Sequence, residues 1–274
     1  MLGESLKGHT MFTLDDLDVT RVIELSHELR RGIPNHASHP PYEMVPYYRA
    51  GDFEMDGGYG GSNELLLMSG HSGTHLDALG HVTQNGQGFQ GHRLDELNAG
   101  LNGLGALGIE TVKPILRRGV LIDVAGHRGI MAGETAPVDA SEIKDICRAD
   151  GIALRQGDCV LLHTGWSRFW SDPAGYMGVD TGTPGVSADG ADYLCRAGAF
   201  LMGGETAVVE HQAPGSHSLP VHMLALARAG VHLLENMDLS ALAATGVREF
   251  VFLCLPLRLV GATGSPVRPV ALIV

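Results

Sequence analysis

The sequence predicts an α/β fold, one domain over residues 1–274, and three observations carry that expectation. In the second half, apolar strand-like runs alternate with helical stretches, which argues for a largely buried, at least partly parallel sheet. No internal repeat, low-complexity tract or charged linker divides the chain. A hydrophobic content of 44% over 274 residues is ample for a substantial core.

The elements follow in order. Strand-like runs fall at Val22–Leu25, Glu64–Met68, Val120–Val124, Cys159–Leu162, Phe200–Met202, Val231–Leu234 and Phe250–Leu257, several of them bounded by glycine. A helix begins at Asp139-Ala-Ser-Glu142, which reads as a capping box, and stops at Gly151. Two more helices are expected over Ser187–Ala197 and Pro220–Ala229, each followed by a glycine and then a strand. Glycine and proline crowd roughly the first 115 residues, where long functional loops are expected.

Composition excludes several partners. A formal net charge of −12, without a Lys/Arg run, offers no attraction to nucleic-acid phosphates or to a membrane surface. The first residues, MLGESLKGHTMFTLDD, lack an apolar segment, and the longest apolar run, Val251–Leu257, is too short to span a bilayer. A cytoplasmic protein is the expectation. Cys147, Cys159, Cys195 and Cys254 sit singly among apolar residues and read as buried thiols.

The chemistry concentrates in Asn63-Glu-Leu-Leu-Leu-Met-Ser-Gly-His71-Ser-Gly-Thr-His75-Leu-Asp77-Ala-Leu-Gly-His81, an apolar strand running into a loop with three histidines and an aspartate. His71, His75 and Asp77 offer two imidazoles and a carboxylate, a set that suits Zn²⁺, Mn²⁺ or Fe²⁺ and leaves positions for water and substrate. Gly70 and Gly73 let the backbone turn so that the ligands converge, and Thr74 is placed to orient one of them. His81, four residues beyond Asp77, stands where a proton shuttle belongs. Spacing alone leaves the bland alternative open, since two histidines four apart also occur by chance.

This segment resembles HxGTHxDxPxH, the signature of the cyclase-like metal-dependent hydrolases that include bacterial kynurenine formamidase and isatin hydrolase, with Leu79 in place of proline. The likeness extends through His163-Thr-Gly-Trp166, Gly204-Glu-Thr-Ala-Val-Val-Glu210, Leu219-Pro-Val-His222, Leu234-Glu-Asn-Met-Asp-Leu239 and Gly261–Pro269. It implies a mixed, partly barrel-like sheet flanked by helices, of the swivelling β/β/α kind. It also implies metal ligation by His71, His75, Asp77 and Glu235, acid/base work by His81, and a homodimer or larger assembly. A second metal, as in kynurenine formamidases, would use His222 with Glu235. The separation of those two is one residue longer than in the short formamidases, and one helical residue turns a side chain by about 100°. The extended N-terminal part, including Gly57–Glu64, resembles the isatin-hydrolase branch and implies one principal ion, Mn²⁺ or Zn²⁺.

Other residues carry two readings each. Without the resemblance, Glu235 reads more readily as a solvated strand end than as a ligand, and His222 as a helix-side histidine. His211 and His217 lie in a polar Gly/Pro loop, as substrate contacts or as solvated side chains, and His36 and His39 are open in the same way. Trp166 is either the floor of an aromatic pocket or core packing. Gly261-Ala-Thr-Gly-Ser-Pro266 lacks the lysine of a phosphate loop and reads as a structural turn. The expected activity is hydrolysis of a small cyclic amide or aryl formamide by metal-activated water, isatin-like lactam opening first and kynurenine formamidase second. The alternatives are cyclisation or dehydration by the same groups, and a non-catalytic metal-binding module.

Overall fold

The computed structural model describes residues 19–129 and 135–274, so the N-terminal stretch read above lies outside the described residues. The strands are β1 Arg21–Glu24, β2 Glu43–Tyr48, β3 Asn63–Leu67, β4 His75–Asp77, β5 Ile115–Asp123, β6 Pro137–Val138, β7 Cys159–His163, β8 Gly185–Val186, β9 Leu201–Gly204, β10 His232–Glu235, β11 Glu249–Cys254, β12 Gly264–Pro266 and β13 Val270–Ile273. Nine form one mixed sheet in the order β1-β13-β11-β5-β7-β9-β10-β4-β12, curled as a half-barrel. Its centre, β5-β7-β9-β10, is parallel. Antiparallel strands flank it on both sides.

The parallel strands are buried on both faces, so alternate residues feed two separate cores. Val120, Ile122, Val160, Leu162, Met202 and Leu233 pack under the helices with Ile143, Ile146, Leu194 and Leu226. Leu121, Leu161, Leu201 and Leu234 face the other way, against Phe252, Leu25 and Leu242. Two expected helices form as read. Asp139 caps Ala140–Ala149 by accepting from the Glu142 N–H, and Ser187 caps Ala188–Arg196 by accepting from the Gly190 N–H. The third begins as an α-helix, Pro220–His222, and continues as a π-helix over Met223–Ala229. A π-turn closes its hydrogen bonds i to i+5 and so carries one residue more per turn.

Several expectations change. The run at Glu64–Met68 is a strand, but β3 is exposed along its length and pairs only with β2, outside the main sheet. Phe250–Leu257 stops at Cys254, because the chain leaves the sheet before Pro256. β2, β4, β6, β8, β12 and β13 were not expected; β4 and β12 are three residues each, too short to show an apolar pattern. Cys195 is half-buried, whereas Cys147, Cys159 and Cys254 are buried as expected. Among the described residues no helix is long and apolar enough to cross a membrane.

Candidate metal centre

The site is built on β4, which lies between β10 and β12. Strand alternation sends Leu76 into the core and puts His75 and Asp77 together on the opposite face. The sequence reading placed these two in a loop; only His71 comes from the turn. That turn needs Gly73, whose φ is +58° and where an added Cβ would lie 2.4 Å from Leu29 Cδ2. Glu235 sits directly across from His75 in the register of β10. It is buried, so the solvated strand-end reading fails.

Five side chains converge. His71 Nδ1 stands 2.8 Å from Asp77 Oδ1. His75 Nε2 lies 3.5 Å from Asp77 Oδ1 and 3.4 Å from Glu235 Oε2. His222 Nε2 lies 3.6 Å from Asp77 Oδ2 and 3.3 Å from Glu235 Oε1. Ligands on a common tetrahedral ion with bonds of about 2.0–2.2 Å sit about 3.3–3.6 Å apart, so the His75 and His222 contacts have the spacing of shared coordination. Asp77 supplies the fit test. It is wholly buried, and apart from the 2.8 Å approach of His71 Nδ1 neither carboxylate oxygen has a hydrogen-bond partner. A buried carboxylate with so few donors costs several kcal/mol unless a cation compensates it. The groups His71/Asp77/His81, His75/Asp77/Glu235 and Glu210/His222/Glu235 are each placed to hold an ion.

The electrostatics agree. Burial opposes the charged form of Asp77, yet the surrounding His81, His71 and His75 hold its pKa well below the carboxylate range. Burial also opposes charging His222, but Glu235, Glu210 and Asp77 outweigh it and raise the pKa to about 10. His75 is raised too, burial being overcome by Glu235 and Asp77. The metal-free site thus recruits protons where a cation belongs. His81 behaves oppositely: burial pushes it down to about 4, so at neutral pH it is uncharged and able to accept a proton.

Supporting groups fix the ring orientations. His75 Nδ1 donates to the Gly73 carbonyl at 2.8 Å, leaving Nε2 to face the centre. His71 Nε2 meets Thr263 Oγ1 at 2.8 Å. His222 Nδ1 meets Glu210 Oε2 at 2.5 Å, while Glu210 Oε1 accepts the N–H groups of Val221 and His222. Such histidine–carboxylate pairs set the tautomer that a metal needs. Glu210 was missed as a site residue, although it closes the Gly204–Glu210 block quoted for the resemblance. Asn236 was missed as well. It holds φ +54°, rare for a non-glycine. Its side chain donates to Gly73 O and accepts from Tyr176 Oη, and its own carbonyl accepts from Thr74 Oγ1. Thr74 therefore ties the turn to β10 and orients no ligand. His222 and Glu235 stand together, 3.3 Å apart, with a π-helix over Met223–Ala229 between them.

A cavity of about 470 Å³ opens onto the centre, lined by His71, His75, His81, His222 and Glu235 together with His36, His39, His217, Val82, Met177, Val179 and Leu219. His217 is therefore at the cavity. His211 is not among the residues lining it, and its main chain pairs with Val186. Trp166 is core: it is buried with Trp170 and Tyr176, and its indole N–H donates to the Tyr176 carbonyl. The turn reading of Gly261 holds, with φ +76°, but Gly264–Pro266 continues as the edge strand on β4.

Fold and site together define an α/β protein with a buried carboxylate–histidine centre beside a small-molecule cavity. The family model described as "Putative cyclase" matches residues 23–211, more than half of the chain, and the protein belongs to that family. Cyclase-like protein 1 of Oryza sativa subsp. japonica is 29% identical over 250 residues, covering 90% of this chain and 77% of the relative. The isatin hydrolase of Roseibium aggregatum is 24% identical over 262 residues, covering 94% and 91%. Among solved structures, one described as a novel cyclase superposes with a TM-score of 0.84 at 23% identity, over 92% of this chain and 88% of that one. An isatin hydrolase bound to the product analogue thioisatinate gives 0.70 at 19% identity, over 92% of both chains.

Proposed function

We propose that the protein is a metal-dependent hydrolase that opens the C–N bond of a small cyclic amide, with an aryl formamide as the second substrate class. The observation that carries this reading is Asp77, a buried carboxylate without hydrogen-bond partners apart from the approach of His71, facing His75, His222 and Glu235 at the head of a cavity. His71, His75, Asp77 and Glu235 would hold the principal ion, Mn²⁺ or Zn²⁺, and His222 with Asp77 and Glu235 a second position. When bound, the ion supplies Lewis acidity toward a carbonyl and a water acidified toward neutral pH. His81, uncharged and lining the cavity, takes a proton from the attacking water and returns one to the leaving nitrogen. Val82, Met177, Val179 and Leu219 give the ring an apolar enclosure.

A ring amide is favoured over an amino-acid formamide by one feature. Among the described residues that line the cavity there is no lysine or arginine, so nothing fixed pairs with the carboxylate of a kynurenine-type substrate. The isatin hydrolase relative supports the same order. The test is metal content together with product mass. The purified protein should carry at least about one divalent ion per chain, and isatin should gain one water in a chelator-sensitive reaction. Product of unchanged mass points to cyclisation chemistry, and full activity after exhaustive chelation removes the metal from the mechanism.

A further inference from the structure

We infer that the substrate is a fused bicyclic amide carrying one further, uncharged apolar ring, which lies against the wall made by Met177, Val179 and Ala207. This rests on the hydrolase reading above and narrows its substrate class. Size is the first observation. A closed cavity of about 150 Å³ takes one benzene ring, so the cavity of about 470 Å³ has room for about three rings, where a fused bicyclic amide fills about two. The additional room has its own apolar side. Val82 follows His81 in the chain, and Leu219 directly precedes the Pro220–His222 turn, so these two border the reacting centre. Met177, Val179 and Ala207 line the cavity from other segments: the end of the short helix Pro173–Met177, the turn after it, and the chain leaving β9.

That wall is fixed in place. Met177 and Ala207 pack on a small core of their own, the buried Trp166, Trp170 and Tyr176. Tyr176 Oη reaches Asn236 Oδ1 at 2.9 Å, which ties this core to the strand end that delivers Glu235. Val179 stands at the rim with 60% of its surface exposed, an apolar side chain that a ligand ring would cover. Its carbonyl accepts the Gly215 N–H at 3.0 Å, and Thr183 and Gln212 exchange main-chain bonds of 2.9 and 3.1 Å, so the two segments of the rim are held together. A wall set before the ligand arrives loses little freedom on binding. The chemistry of the lining selects the ring's character. Histidines aside, Glu235 at the centre is the one acidic or basic residue among the described residues that line the cavity, so a charge on the added ring would stay unpaired. A hydrocarbon ring meets no such cost.

Calorimetry on the manganese-loaded full chain tests this by binding alone. The probes are oxindole, a bicyclic amide without an activating ketone, and oxindoles with one phenyl group on each of the four free carbons of the benzo ring. At least one phenyl derivative is expected to bind at least about tenfold more tightly than oxindole, the gain from burying one aromatic ring. Val179→Asp, at the exposed rim, and Met177→Ala should each cut that gain by at least about threefold. Phenyl derivatives that all bind no more tightly than oxindole overturn the inference on the parent protein, whether or not the variants fold. A gain that both folded variants leave unchanged overturns it as well. The hydrolase reading fails on a separate result. Tighter phenyl binding without ring opening of isatin or its phenyl derivatives keeps the wall and removes the hydrolase, whereas opening of isatin with no phenyl preference keeps the hydrolase and removes the wall.

Discussion

Replacing Glu210 by glutamine separates the orientation of His222 from its presence. Glu210 Oε1 accepts two backbone N–H groups and Oε2 faces His222 Nδ1 at 2.5 Å. A glutamine of the same shape keeps its carbonyl on the two N–H groups, so the helix start at Pro220 stays capped and the melting temperature should fall by only a few degrees. Its amide nitrogen, however, then confronts Nδ1 with a donor. The ring must then give up its Nδ1 proton and keep the one on Nε2, the atom aimed at Asp77 and Glu235. Losing a hydrogen bond to a charged group costs about 1.5–3 kcal/mol, and at 1.4 kcal/mol per decade the metal affinity should drop about 10–100-fold. Competition titration against a chromogenic chelator measures the affinity, and nitrogen-15 NMR of the histidines reads the tautomer. An affinity within twofold of the parent would refute the reasoning, returning Glu210 to helix capping and His222 to packing.

Other outcomes follow from the same geometry. His81→Ala should keep near-normal metal content but lose about 10²–10⁴ in turnover, whereas Asp77→Ala should lose both; metal lost equally from the two would make His81 a ligand. Glu235→Ala should weaken metal binding by at least about 10–100-fold in the same titration, and an unchanged constant would remove it from the centre. His222, protonated up to about 10 in the metal-free protein, must release that proton to ligate, so affinity should rise with pH through neutrality and calorimetry in buffers of different ionisation heat should register proton release. Away from the centre, His163 Nδ1 bonds Asp123 Oδ1 at 2.7 Å and Arg248 Nη2 bonds Oδ2 at 3.0 Å. Burial opposes charging His163 but Asp123 outweighs it and raises the pKa, so this stabilisation is full below about 6.5 and fades as pH rises through the raised value. Asp123→Asn should cost about 1–3 kcal/mol in denaturant unfolding at pH 6 and less at pH 9; a pH-independent loss would remove the histidine from the account.

The legible part of the fold was its parallel half, where capping residues and glycine stops delimit the helices and β5, β7, β9 and β10 announce themselves as apolar runs. β4 gave no such signal, since two of its three residues are ligand candidates and only Leu76 faces the core. The same polarity that hid the strand made the site conspicuous, which is why His71, His75, Asp77 and His81 were singled out together. Glu210 and Asn236 were illegible because their roles depend on what lies opposite in space: the start of a helix 12 residues on for Glu210, and the Gly73 turn 163 residues away for Asn236. Trp166 failed as a pocket residue for a similar reason, since an aromatic after a strand looks alike whether it meets a cavity or Tyr176.

The wide turn at Met223–Ala229 has a consequence for reading related chains against this one. A length difference between His222 and Glu235 is most naturally assigned to the loop at Gly230, the place where alignments put gaps. Here a π-turn can absorb such a residue inside the helix, downstream of His222, while the strand that delivers Glu235 keeps its register with Leu201 and His75 through its neighbours. Relatives with the shorter spacing should show an ordinary α-helix at this point, and the gap belongs within residues 223–229. Placing it in the loop would slide every helical position by one, aligning core-facing residues such as Leu226 with solvent-facing ones.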